Sequence, residues 1–153
     1  MYQANSVADW FLAYAEDDPT AEITHLKLQK ILYYSQAHYM AVYNKPLFND
    51  EIQAWQYGPV TPNVYNRFKN EKSTNLCAND DFDFDSFSDE DNQFLIEIWE
   101  HYGQFSASKL VDMTHQETPW IEYYYTPNRK GDKNNEVIPL DAIAEFFRVE
   151  ENV

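Results

Sequence analysis

Three aspartates at alternate positions, Asp81, Asp83 and Asp85 in "DFDFDSFSDEDN", are the first groups in this 153-residue chain whose type and spacing suggest chemistry. They match the first, third and fifth ligand positions of a calcium loop. The match stops there: Ser86 stands where the loop needs glycine for its sharp turn, and Asn92 where a bidentate glutamate closes the cage. An acidic docking segment or a solvated loop fits these residues better. The histidines, His25, His38, His101 and His115, contain no His-Glu-x-x-His motif and no i,i+4 pair, and the single cysteine, Cys77, completes no zinc set. "THQETPW", residues 114–120, sets His115 two residues from Glu117, a pairing that can move protons. A hydrolase also needs an activated nucleophile, and no Gly-x-Ser-x-Gly elbow occurs. The alternative is a polar turn joining two helices, with Trp120 packed and His115 hydrogen-bonded locally. With only Gly58, Gly103 and Gly131, the chain holds no glycine-rich phosphate loop. These residues point to binding; no catalytic residue, metal or cofactor is expected.

The elements that must position them follow from apolar period and capping residues. A helix is predicted over 6–16, capped by Ser6, with Val7, Trp10, Phe11, Tyr14 and Ala15 on one face. A second runs from a Thr24 cap to about Tyr43 with apolar stripes on two sides, the mark of a central helix. Lys27, Gln29, Lys30, Gln36 and His38 fill its remaining polar strips, open to solvent or to a partner. "EIQAWQY", residues 51–57, alternates as a short strand that Gly58-Pro59 stops, and Thr61-Pro62 caps and starts a third helix to about 72. Phe82, Phe84 and Phe87 press the acidic loop against the body of the protein. Ser88 and Asp91 then form a capping box for a helix carrying Phe94, Leu95, Ile98, Trp99 and Tyr102, ending at Gly103. Ser106 caps a helix to about Thr114, Thr118-Pro119 opens another, and Leu140, Ile143, Ala144 and Phe147 define the last. "TPNRKGDKNN", residues 126–135, reads as a polar, locally basic loop, and "EVIP", residues 136–139, can add a strand beside 51–57. The expected fold is mainly α: one compact domain over residues 1–153, of about six or seven helices with a small antiparallel β-ribbon.

Charge narrows the partners. Residues 1–76 carry 8 acidic and 6 basic side chains, whereas residues 77–153 carry 18 and 5, so nearly all of the net −15 belongs to the second half. Such a field repels phosphate backbones and favours basic partners, which argues against direct nucleic-acid binding. No apolar run approaches the ~20 residues of a membrane span, and the N-terminus lacks the basic and apolar regions of a secretion signal. A soluble, cytoplasmic protein is expected. Aromatic residues make up 17% of the chain, so rings should dominate both core and contact surfaces.

Read together, two stretches identify a resemblance. "LKLQKILYYSQAHYMAVYNKPLFNDEIQAWQYGPVTPNVYNRFK", residues 26–69, resembles the signature of the Panacea, or SocA-like, antitoxin domain, also found in phage-associated GepA-type proteins. The matches are Lys27 to Lys30, Leu32 to Tyr34, Gln36, Ala37, Pro46 to Phe48, Ala54, Trp55, Tyr57 to Val60 and Tyr65. "HYGQFSASKLVDMTHQETPW", residues 101–120, resembles the family's second motif at Tyr102, Gly103, Leu110, Thr114, His115, Glu117, Pro119 and Trp120. Ile31, Ser35, Gln53 and Thr61 depart mildly from it.

The resemblance implies an antitoxin that neutralises a cognate protein toxin, encoded beside it, by direct contact, or that delivers the toxin to a protease as an adaptor. A third reading, an acidic phage-encoded protein blocking a host defence or DNA-binding protein, follows from the charge. Inhibition by binding needs desolvated anchors and a complementary field, not a nucleophile. The candidate partner-binding residues are Lys27, Lys30, Tyr34, His38, Trp55, Tyr57, Pro59, Tyr65, His115 and Trp120. Shared rings serve a fold equally well, and Leu28, Leu32 and Trp55 are assigned to the core.

Overall fold

The computed structural model describes residues 1–18, 20–71, 76–125 and 135–151, with side chains up to Arg148. Of the basic stretch 126–135, all but Asn135 lies outside the described residues. The elements run α1 (Ala4–Tyr14), α2 (His25–Tyr43), β1 (Gln53–Trp55), β2 (Gly58–Val60), α3 (Pro62–Phe68), a 3-10 turn at Phe84–Ser86, α4 (Asp89–Tyr102), α5 (Ala107–His115), α6 (Thr118–Tyr125), β3 (Glu136–Val137) and α7 (Leu140–Glu151). The fold is mainly α, with a three-stranded antiparallel sheet of order β2-β1-β3.

α2 is the centre, packed by α1, α3, α4, α5, α7 and β2. Both of its apolar stripes are buried over most of their length, Leu28, Ile31 and Leu32 on one and Tyr33, Ala37 and Met40 on the other, while Val42 and Leu26 at their ends are exposed. Each fully buried leucine or isoleucine contributes roughly 1.5–3 kcal/mol. Thr24 caps α2, its hydroxyl accepting from the Lys27 N–H at 3.1 Å, and Asn44 closes it in the left-handed conformation that asparagine tolerates. Ser88 and Ser106 cap α4 and α5 in the same way, each accepting at 3.1 Å from the backbone N–H three residues on. Asp91 does not complete the capping box by reaching back. Its carboxylate instead accepts from the hydroxyls of Tyr2 at 2.6 Å and Tyr39 at 2.9 Å, tying α4 to the N-terminus and to α2. Phe87 is buried and stacks on Tyr2 at 4.1 Å, and Phe84 meets Trp10 edge-on, so the acidic loop does lie against the body.

Several boundaries differ from the periodic reading. α1 begins at Ala4, with Ser6 inside the helix, because the Asp50 carboxylate accepts from the Ala4 N–H at 2.9 Å, a cap supplied from 46 residues away. Gly58-Pro59 does not stop the strand. The chain turns at Gln56-Tyr57 and returns as β2, in the register Gln53↔Val60, Ala54↔Pro59 and Trp55↔Gly58. Proline is tolerated there because β2 is an edge strand. Thr61 precedes α3, but its side chain makes no cap hydrogen bond, and the helix ends at Phe68 instead of about 72. No helix among the described residues is long and apolar enough to cross a membrane.

Candidate partner-binding groove

Of the residues assigned to the polar strips of α2, Lys27, Gln29, Lys30 and Gln36 have less than a tenth of their surface exposed. The solvated reading of these strips is therefore corrected. Each side chain instead pins a segment of backbone. Gln36 accepts from the Leu47 N–H at 2.7 Å and donates to the Phe48 carbonyl at 2.6 Å. Seven residues earlier, on the same side of the helix, Gln29 accepts from the Thr61 N–H at 2.8 Å and donates to the Thr61 carbonyl at 3.4 Å. Between these two, Lys30 is fully buried and donates to the Pro59 carbonyl at 2.7 Å. The Thr61 carbonyl also accepts from the Val64 and Tyr65 N–H groups, so the corner between β2 and α3 is held by α2 at its start and by the first turn of α3 at its end. Burial alone pushes the Lys30 ammonium down from its ordinary 10.5 to about 7.

Gly58 allows that packing. Its φ is +108°, and a Cβ at this position would lie 2.7 Å from Lys30 Cε and 2.8 Å from Thr114 Oγ1. Thr114 belongs to the second motif, so the two motifs meet at this glycine. They meet again beside it: the Trp120 indole donates to the Trp55 carbonyl at 2.7 Å, and His115 Nε2 lies 3.1 Å from the Gln56 carbonyl. His115 stacks on Trp120 at 4.0 Å, and Trp120 on Tyr124 at 4.6 Å. The hairpin turn is thereby clamped from two sides.

On the other face of that corner lies a groove of about 600 Å³ lined by His25, Leu26, Gln29, Trp55, Tyr57, Val60 and Tyr65, among others. Its walls are rings. Trp55 meets Tyr65 edge-on at 4.7 Å, and His25 stacks on Tyr65 at 5.4 Å. The Trp55 indole donates to Gln53, which donates to the exposed Glu51 carboxylate, both at 2.9 Å. Tyr57 is 60% exposed and Leu26 36%. Trp55 is half-buried in this wall, which corrects its assignment to the core; Leu28 and Leu32 are core residues with no exposed surface. Burial, and after it the charge on Lys30, holds His25 below its ordinary 6.5.

The structure gathers Trp55, Tyr57 and Tyr65 at this surface and puts Pro59, Lys30, His115 and Trp120 directly behind or beside it. The other candidates lie elsewhere. Lys27 donates to the Gly103 carbonyl at 2.6 Å, closing the end of α4, and sits 5.4 Å over the Trp99 ring. Tyr34 is fully buried, donating to Glu117 at 2.9 Å and stacking on Tyr102 at 4.2 Å. Burial, then the Glu117 charge, pushes the Tyr33 and Tyr34 hydroxyls up. His38 is half-buried, its Nε2 2.6 Å from the Tyr102 hydroxyl and its ring edge-on to Phe147 at 5.0 Å. His115 and Glu117 serve different partners, the Gln56 carbonyl and the Tyr34 hydroxyl. Sequence reasoning did not single out His25, Leu26 or Val60 for the groove; His25 and Leu26 are the first two residues of α2, where periodicity does not say whether a side chain meets core or solvent. Among the described residues no group of three His, Cys, Asp or Glu could hold a metal ion.

Comparison with known proteins matches residues 28–121 to the family described as Antitoxin SocA-like, Panacea domain. That span takes in the hairpin, its clamps and nearly all of both motifs. Antitoxin SocA of Caulobacter vibrioides (strain NA1000 / CB15N) is 40% identical over 67 residues, covering 42% of this chain and 34% of that protein. The alignment thus spans about a third of that relative's length. No solved structure matches.

Proposed function

Because the chain belongs to the SocA-like antitoxin family with the Panacea domain, we propose that it is an antitoxin that neutralises a protein toxin by binding it through the aromatic groove. The observation that carries this reading is the exposure of Tyr57 on a corner clamped from behind by Gln29, Lys30 and Trp120, with exposed Leu26 of α2 in the same groove. A side chain left that far in solvent packs little in the free chain, and the clamped backbone beneath it limits the ordering cost of binding to the ring itself. Aromatic anchors of this kind dominate the energetics of protein interfaces.

The acidic residues supply the second half of the argument. Asp81, Asp83 and Asp85 in the loop, and Asp89, Glu90, Glu97 and Glu100 on α4, are all exposed. Their field speeds encounter with a basic toxin surface while the groove sets the contact.

The test is co-expression with the product of the neighbouring reading frame. Growth is expected to recover and the two proteins to co-purify. Tyr57→Ala should lower affinity by about 1–3 kcal/mol, in the range of an aromatic hot spot, without changing the melting temperature. Rescue with no complex under conditions that retain weak binding would reject direct neutralisation. Rescue that requires a cellular protease, with a shortened toxin half-life, would instead make the chain an adaptor.

A further inference from the structure

The orientation of the Gln29 amide can be deduced, and with it the proton on His25. A backbone N–H donates only to an acceptor, so the Gln29 atom 2.8 Å from the Thr61 N–H is its carbonyl oxygen. The other end of the amide is then NH₂. It donates to the Thr61 carbonyl at 3.4 Å and faces His25 Nε2 at 3.1 Å. Two donors cannot share that contact, so Nε2 carries the lone pair and the ring proton sits on Nδ1.

Protonation of His25 would set N–H against N–H. Among the described residues no carboxylate faces the ring to offset that charge. From α3 it meets Tyr65 at 5.4 Å and Phe68 at 5.8 Å, and from its own helix the Lys30 charge opposes a second cation. Relief requires the ring to leave Tyr65, or Gln29 to release Thr61. Either movement acts on the corner that carries the groove.

We propose that His25 is a positioning residue whose neutral Nδ1–H form holds the groove in its binding shape, so that acidification releases the partner. This rests on the groove being the toxin-binding face, but the proton assignment does not. If only the neutral form binds, affinity falls by up to about tenfold for each pH unit below the His25 pKa. Burial of the ring places that fall on the acid side of the ordinary histidine range.

The experiment uses the full chain labelled with ¹⁵N-histidine. Long-range ¹H–¹⁵N spectra at pH 7.5 should show His25 protonated on Nδ1 and bare on Nε2; the opposite tautomer, or an imidazolium, overturns the proposal. Between pH 7.5 and 5.0 the Trp55 indole N–H resonance should move with His25 in the native chain. In His25→Phe, which keeps a ring against Tyr65 but cannot titrate, that movement should be absent. A step of equal size in the variant would belong to Lys30 or His115 and would also overturn it. With the co-purified toxin, affinity should fall across the same range for the native chain and stay flat for the variant. Failure of any toxin to bind removes the antitoxin reading and leaves the tautomer and resonance measurements to decide the role of His25.

Discussion

Replacing Gly58 by alanine tests whether the two motifs are packed as tightly as their geometry states. At φ +108° an L-residue is strained whatever the space around it, at about 1–3 kcal/mol. The new methyl would also sit 2.7 Å from Lys30 Cε and 2.8 Å from Thr114 Oγ1, well inside van der Waals contact. Lys30 has no free end to swing aside, because its ammonium is anchored on the Pro59 carbonyl and its stem is fully buried. Overpacking at such a site adds about 1–3 kcal/mol. The narrower unfolded ensemble of alanine returns about 0.4–1 kcal/mol. The net loss is about 1–5 kcal/mol, a sizeable share of the roughly 5–15 kcal/mol that keeps a domain folded. In a chain of this size it lowers the melting temperature by roughly 2–20 °C. Urea unfolding, followed by far-UV circular dichroism, reads the difference. A loss under about 1 kcal/mol would show that the β2 corner yields easily, and the rigidity argued for the groove would fail with it.

Two further outcomes follow from the buried polar side chains of α2. Lys30 has its folded pKa lowered from 10.5 to about 7, so between those values the unfolded chain binds the extra proton and stability rises with pH. The slope approaches about 1.4 kcal/mol per pH unit, giving up to about 2–3 kcal/mol between pH 7 and 9 in urea titrations. Stability that is flat or falls across that interval would mean that Lys30 is hydrated. Gln36→Leu leaves the buried Leu47 and Phe48 backbone groups without their partner and should cost about 2–4 kcal/mol, read as a lower urea midpoint; a change under about 1 kcal/mol would refute the clamp.

Much of the helical framework was legible from residues that act on their neighbours. Thr24, Ser88 and Ser106 cap the helices that follow them because a cap needs only its own side chain and the N–H three residues on. The two apolar stripes of α2 announced a central helix, and α2 is one. The candidate surface was legible in part. The Trp55-Tyr57-Tyr65 corner was identified by its motif, whereas Lys27, Tyr34 and His38 lie away from it, and the burial of Lys30 was invisible. A lysine in a polar strip reads as solvated unless the loop that will cover it is known.

What residue order makes legible is therefore local: the capped starts of α2, α4 and α5, the apolar faces, the acidic second half and the two motifs that identify the family. The tertiary structure decided the partners that come from afar. Asp50 caps α1 across 46 residues, Gln29 holds the Thr61 N–H across 32, and Trp120 fastens the Trp55 carbonyl across 65. The reason lies in the range of the forces. Caps and periodicity act within one helical turn, but a buried backbone donor or acceptor must be satisfied by whatever packs against it. Only the packing of α2 against the hairpin made Gln29 and Lys30 structural and left Tyr57 in solvent.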